Sequence, residues 1–219
     1  MEIRPLLLGH RGARAVKSVP ENTTASFDFA LASGCDGFEL DVRLSADGQA
    51  VICHDARATT AGLEIAQASA QQLGLPHLRD LLIRYQRTAF LDIELKVPGL
   101  ETTTADLLHS FVPARGFVVS SFLPRVLGDL HRVDATLPLG LICESAPELS
   151  LWPELPLNYV IPHYRLLTRD LVRQIKSAGK KILVWTVNVP DEMSRLAEWG
   201  VDGIISDNPK RLVRTLKRD

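Results

Sequence analysis

The chain has 219 residues, 46% hydrophobic and 23% charged, a composition that supports a sizeable buried core and excludes a disordered chain. With 25 basic against 26 acidic residues the formal net charge is -1, so no overall field draws it to nucleic acid or to an anionic membrane. No window reaches the roughly 18 apolar residues of a transmembrane helix, and the apolar run before His10 lacks the long h-region and cleavage site of a signal peptide, so the sequence reads as cytoplasmic. Cys35, Cys53 and Cys143 are odd in number and lack Cys-x-x-Cys spacing, which points to buried free thiols rather than a disulfide framework or a zinc site.

In chain order, short runs rich in Val, Ile and Leu alternate with helical patterns, as in a parallel sheet buried on both faces. A strand is expected over 6–10 and a helix over 23–32, closed by Gly34 in a left-handed cap. A strand over 37–44 follows, then the Asp47-Gly48 turn and an extra extended run over 51–54. Residues 55–75 show no clear period and read as an excursion. Beyond it the expected order is helix 78–87, strand 90–96, helix 103–111, strand 116–122, helix 124–133 and strand 139–144. Helix 147–151, strand 159–164, helix 168–178, strand 181–188, helix 191–199, strand 203–206 and helix 209–216 complete it. Gly179 and Gly200 stand where C-caps belong, and Asn208 is an N-cap followed by Pro209 at the first helical position. Eight strands alternating with eight helices favour a closed barrel over an open doubly wound sheet. The expectation is an α/β fold: one (β/α)8 TIM-barrel domain over 1–219, with a short insertion at about 46–76 beyond the mouth.

Glu39 and Asp41 are two apart in a run that otherwise reads as a buried strand, so both carboxylates point into the barrel. Burying like charges without partners is costly, and a divalent cation is the usual remedy. Glu94 and Lys96 repeat the spacing on the next main strand. Three hard oxygen donors suit Mg2+ or Ca2+ better than zinc. The alternative is an internal ion network with Arg11, Arg43 or Lys96, and Arg43 shares the parity of the two acids. His10 ends the first strand and His54 ends the extra run, the ends at which barrel active sites assemble. Two histidines at one site suit a proton acceptor and a proton donor, although a histidine at a strand end often serves only as a hydrogen-bonding group.

His10-Arg11-Gly12, Pro20-Glu21-Asn22-Thr23, the stretch from Gly34 to Val42, Asp47-Gly48 and His54-Asp55 together resemble the signature of the glycerophosphodiester phosphodiesterases. Glu94-Leu95-Lys96, Ser120-Ser121-Phe122, Trp185-Thr186-Val187-Asn188 and the run from Gly200 to Pro209 resemble its later strands, in the same order. The resemblance covers almost the whole chain. It implies a divalent cation held by Glu39, Asp41 and Glu94, with His10 as general base and His54 as general acid. It places Arg11 and Lys96 on the substrate phosphate and Trp185 against the substrate's apolar side. Glu21 and Asn22 follow the first strand, where they would cap the next helix or orient a ligand residue, and Asp207 and Asn208 would shape the final turn.

The chain departs from the family between His54 and Glu94, where the excursion is shorter than usual. Arg57 to Gly62 and Leu75 to Leu78 still resemble its ends. Because this piece would roof the site, its shortening bears on the substrate more than on the reaction. The implied function is hydrolysis of a glycerophosphodiester, a small-molecule substrate, to glycerol 3-phosphate and an alcohol. A lysophospholipase D-like or sphingomyelinase D-like enzyme is the nearest rival, with Leu63, Ile65 and Leu73 as its possible apolar patch; a non-catalytic phosphate-binding barrel is a second. The surface pattern implies no particular oligomeric state.

Overall fold

The computed structural model describes residues 4–58 and 61–217. Its first elements are β1 (Leu6–Gly9), α1 (Thr24–Ala32), β2 (Gly37–Leu44), β3 (Ala50–Ile52), β4 (Arg57–Ala58) and β5 (Leu63–Glu64). Next come α2 (Ala70–Leu73), α3 (Leu78–Tyr85), β6 (Phe90–Leu95), α4 (Glu101–Ser110), β7 (Phe117–Ser121) and α5 (Pro124–Val133). The chain continues through β8 (Leu139–Cys143), α6 (Ala146–Leu149), β9 (Tyr159–Pro162), α7 (Arg169–Ser177), β10 (Lys181–Val184), α8 (Pro190–Glu198), β11 (Gly203–Ser206) and α9 (Pro209–Leu216). Strands β1, β2, β6, β7, β8, β9, β10 and β11 pair in parallel in that order, and β1 pairs with both β2 and β11, closing an eight-stranded (β/α)8 TIM barrel.

Strand alternation sorts the side chains into two cores. Outward residues such as Phe38, Leu40, Leu91 and Ile93 pack under the helices. Phe38 stacks on Phe27 of α1 with ring centroids 4.2 Å apart, and Tyr85 of α3 meets Phe38 edge-on at 5.0 Å. Inward residues Leu8, Phe90, Val118, Ile142, Tyr159, Ile161, Leu183 and Ile205 fill the barrel interior. The barrel is thus a packed core rather than a pore, and a cavity opens at its carboxyl end.

The eight strands and the helices between them stand where the sequence places them, with shifts at their ends. The seventh strand ends at Val184, not 188, because beyond it only an isolated bridge joins Trp185 to His163, and Asn188 turns away to bond Asp207. The helix expected over 147–151 is a single turn, α6, followed by a 3-10 turn at Trp152–Glu154. Gly34, Gly179 and Gly200 take the positive φ expected of caps.

The excursion has order of its own. β3 runs antiparallel to β2, β4 pairs with β5, and a capping box made by Ser69 and Gln72 starts α2. Val51, Ala58, Ile65, Ala68, Ala70 and Leu73 form its satellite core. Thr59 and Thr60, within the stretch resembling the family, lie outside the described residues.

Candidate active site

At the carboxyl end of the barrel the inward positions change character. β2 presents Glu39 and Asp41, and β6 presents Asp92 and Glu94 beside them, in the register Glu39 to Asp92 and Asp41 to Glu94. Four buried carboxylates therefore share one wall. Two permanent cations face them: Lys96 Nζ lies 2.7 Å from Glu94 and 3.3 Å from Asp41, and Arg11 Nε lies 3.3 Å from Asp41. Arg43, which shares the parity of Glu39 and Asp41, instead donates from Nε to the His54 carbonyl at 2.8 Å.

The β1–α1 loop delivers the remaining groups through an unusual backbone. Arg11 has φ 48° and Asn22 φ 56°, left-handed conformations that cost a non-glycine residue on the order of 1–3 kcal/mol. The bend lets the Arg11 amide donate to Glu39 Oε2 at 2.8 Å while its guanidinium donates to Glu21 at 2.7 Å. Gly12, at φ 83°, lies so close to α1 that an added Cβ would fall 2.4 Å from Ser26 Oγ. Asn22 donates to Asp41 Oδ2 at 2.8 Å, whereas the helix cap is Thr23, which accepts from the Ser26 amide. Glu21 and Asn22 thus support site residues and do not cap α1.

The electrostatics of the carboxylates differ. Burial pushes Glu39 well above the usual carboxylate range, and the charges of Asp41, Glu94 and Asp92 push the same way. Glu94 is raised to about 7 by burial and by Asp41, against the pull of Lys96. Asp92 is also raised to about 7, chiefly by burial, although Ser120 donates to it at 2.5 Å. Asp41 alone falls below its ordinary value: burial raises it, but Lys96, Arg11 and Asn22 outweigh that. One oxygen each from Glu39, Asp41 and Glu94 lie within 4.8 Å of one another, and Glu39 Oε1 is buried without a hydrogen-bond partner. Four carboxylates against two cations, with an orphaned oxygen among them, form an oxygen donor set that fits a divalent cation.

The two histidines carry matching supports. His10 Nδ1 lies 2.6 Å from Asp207 Oδ1, and its Nε2 faces Glu39 Oε2 at 3.8 Å. Asp207 is fixed in turn by Asn188, whose Nδ2 donates to Oδ2 at 2.6 Å and whose Oδ1 accepts the Asp207 amide at 3.0 Å. His54 is carried back over β2 by β3, with the Cys53 amide bonded to the Asp41 carbonyl, and its Nδ1 lies 2.7 Å from Asp55. Burial holds His54 below the usual histidine range, against the pull of Asp55 and Asp41. Asp207 had been expected only to shape the last turn; it holds the His10 ring, while Asn208 caps α9 through the Arg211 amide.

A cavity of about 440 Å3 joins these groups, lined by His10, Arg11, Glu39, His54, Asp92, Glu94 and Lys96 on one side. Phe122, Ile142, Ile161, Trp185 and Ile205 line the other, with Glu144 at the end of β8. Trp185 donates from Nε1 to the Ile161 carbonyl at 2.9 Å and meets Phe122 edge-on at 5.5 Å, so its ring is held in place. The apolar patch suggested for Leu63, Ile65 and Leu73 does not form: Ile65 and Leu73 are buried in the excursion's satellite core, and Leu63 alone is exposed. No helix among the described residues is long and apolar enough to cross a membrane.

Asp92 was within reach of the sequence, two residues before Glu94 on the same inward parity. Asp207 was not, because only closure of the barrel brings it to a histidine 197 positions away.

The glycerophosphoryl diester phosphodiesterase family profile matches residues 10–84 and 96–211. A glycerophosphodiester phosphodiesterase of Caldanaerobacter subterraneus subsp. tengcongensis is 29% identical, with 99% of each chain covered. That alignment runs over 244 positions against 219 residues here, so the relative carries insertions that this chain lacks. The Bacillus subtilis protein YhdW is 30% identical, covering 97% of this chain and 98% of its own. An Oleispira antarctica phosphodiesterase, solved with the product sn-glycerol-3-phosphate, superposes with a TM-score of 0.82 at 25% identity over 97% of this chain and 96% of its own. The chain belongs to the glycerophosphoryl diester phosphodiesterase family of phosphoric diester hydrolases.

Proposed function

We propose that this single-domain barrel hydrolyses glycerophosphodiesters to sn-glycerol 3-phosphate and an alcohol, with one divalent cation, Mg2+ or Ca2+, bound by Glu39, Asp41 and Glu94. The observation that carries the reading is the meeting, at the carboxyl end of the barrel, of that acidic triad with two cations and two aspartate-supported histidines, around a cavity that Glu39 and Glu94 line. A cation held by Glu39, Asp41 and Glu94 would supply positive charge to offset that of the phosphate. Arg11 and Lys96 offset the same charge from fixed positions. With Asp207 accepting from Nδ1–H, His10 keeps Nε2 free to take the proton of the nucleophile, either water or the substrate's own glycerol hydroxyl. His54, oriented by Asp55, protonates the departing alcohol oxygen. The free thiols of Cys35, Cys53 and Cys143 suit a cytoplasmic setting.

Release of glycerol 3-phosphate from glycerophosphocholine and glycerophosphoethanolamine, with Mg2+, Ca2+ or chelator, tests this reading. Turnover should need the cation and disappear in His10→Ala and Glu94→Ala. Cleavage of a lysolipid in place of both diesters would move the substrate to the lipid class, and binding without any cleavage would leave a ligand-binding barrel. Phosphorus NMR separates the nucleophiles, since attack by the glycerol hydroxyl passes through a cyclic phosphate.

A further inference from the structure

The apolar side of the cavity ends in a charge that the proposed chemistry does not use. Along β8 the inward positions are Gly140, Ile142 and Glu144; Ile142 packs in the barrel interior, and Glu144 emerges at the mouth, exposed, on the cavity wall. Among the described residues its carboxylate makes no ion pair or hydrogen bond, while its backbone amide donates to Glu148 Oε2 at 2.9 Å. Trp185 lines the same cavity, and its ring meets that of His163 edge-on at 5.4 Å. Burial and Arg165 hold His163 below the usual histidine range, against the pull of Glu144.

The cavity is therefore bipolar. Its cations, Arg11 and Lys96, stand on the phosphate side, and the one acidic group on the opposite wall is Glu144. We propose that Glu144 is a specificity residue that, with the face of Trp185, receives a cationic group on the leaving alcohol. A diester of an amino alcohol would then lie across the cavity with its phosphate at Arg11 and Lys96 and its ammonium between carboxylate and indole. This deepens the phosphodiesterase reading and rests on it. A partly solvated carboxylate contact and a tryptophan cation–π contact together favour the cation by roughly fivefold to tenfold.

The experiment compares kcat/KM for glycerophosphocholine with that for its uncharged isostere, the diester of 3,3-dimethylbutanol, in which carbon replaces nitrogen. Wild type should prefer the choline diester by the stated factor. Glu144→Gln should bring the ratio close to one, and Glu144→Lys should invert it. The side chain is exposed and makes no hydrogen bond among the described residues, so neither variant threatens folding. Equal rates on the two diesters in wild type, or a preference that survives both substitutions, overturns the assignment while leaving the phosphodiesterase reading intact. Failure to cleave either diester removes both.

Discussion

On β2 and β6 the inward positions at the carboxyl end are Glu39, Asp41, Asp92 and Glu94, whereas β8, β9 and β11 point Ile142, Ile161 and Ile205 inward. The same alternation builds both walls, so strand geometry decides only that these side chains point inward. The carboxylate wall is unfavourable by itself and gains from any cation that reaches it. The isoleucine wall is stable without a partner, and by keeping water from one side it strengthens the charge interactions across the cavity. Breaking one wall should therefore change the chemistry, and breaking the other should change how the substrate sits.

The largest effect is expected from Lys96→Met. Its ammonium lies against both Glu94 and Asp41, and loss of a fixed positive group at a developing oxyanion lowers kcat by roughly 100- to 1,000-fold. Cation affinity, read by calorimetry, should hold or rise, because a competing positive charge has left the triad. A fall in affinity matching the fall in kcat would show that Lys96 acts on the cation site instead. Asp207→Asn comes next, at about 100-fold in kcat, because Asn188 Nδ2 claims the one carbonyl oxygen of the new amide, which leaves its NH2 facing His10 Nδ1 and favours the tautomer with the proton on Nε2. Asp207 touches none of the triad, so cation affinity and KM should stay near wild type.

These two variants also mark what the sequence could reveal. The barrel was legible because strands buried on both faces read as apolar runs, and the helix ends announce themselves, as at Asn208-Pro209. Glu39, Asp41 and Glu94 were legible because acids at period two inside such runs violate the pattern. The same period also reaches Asp92, two residues before Glu94 on the inward face. The support of His10 by Asp207 and Asn188 was hidden, since it exists only once β11 closes on β1. Nor did parity settle Arg43, which shares the face of the acids yet reaches the His54 carbonyl, because a long side chain at a strand end is free to turn aside.

Acidity should distinguish the walls more gradually. Glu94 is held at about 7 and Glu39 is also raised, so in the metal-free protein protons remain on the carboxylate wall at pH values where an unfolded glutamate has lost them. Between the unfolded value near 4.5 and about 7 the folded chain binds more protons than the unfolded one, so stability of the metal-free protein falls as pH rises through that window. A cation must displace those protons, so its affinity should drop roughly tenfold per pH unit below 7 for each proton released. Calorimetry in buffers of different ionisation enthalpy counts them; affinity independent of pH from 6 to 8 would mean that the triad is already ionised.

The smallest effect belongs to the isoleucine wall. Trp185→Leu removes a ring fixed by Phe122 and the Ile161 carbonyl, and it leaves every charged group in place. Contacts that hold substrate and transition state alike change KM and leave kcat alone. The expected outcome is a rise in KM of roughly fivefold, the scale of one aromatic contact, with kcat and cation affinity unchanged. A fall in kcat instead would show that the ring positions the phosphate, which would make the two walls one catalytic unit.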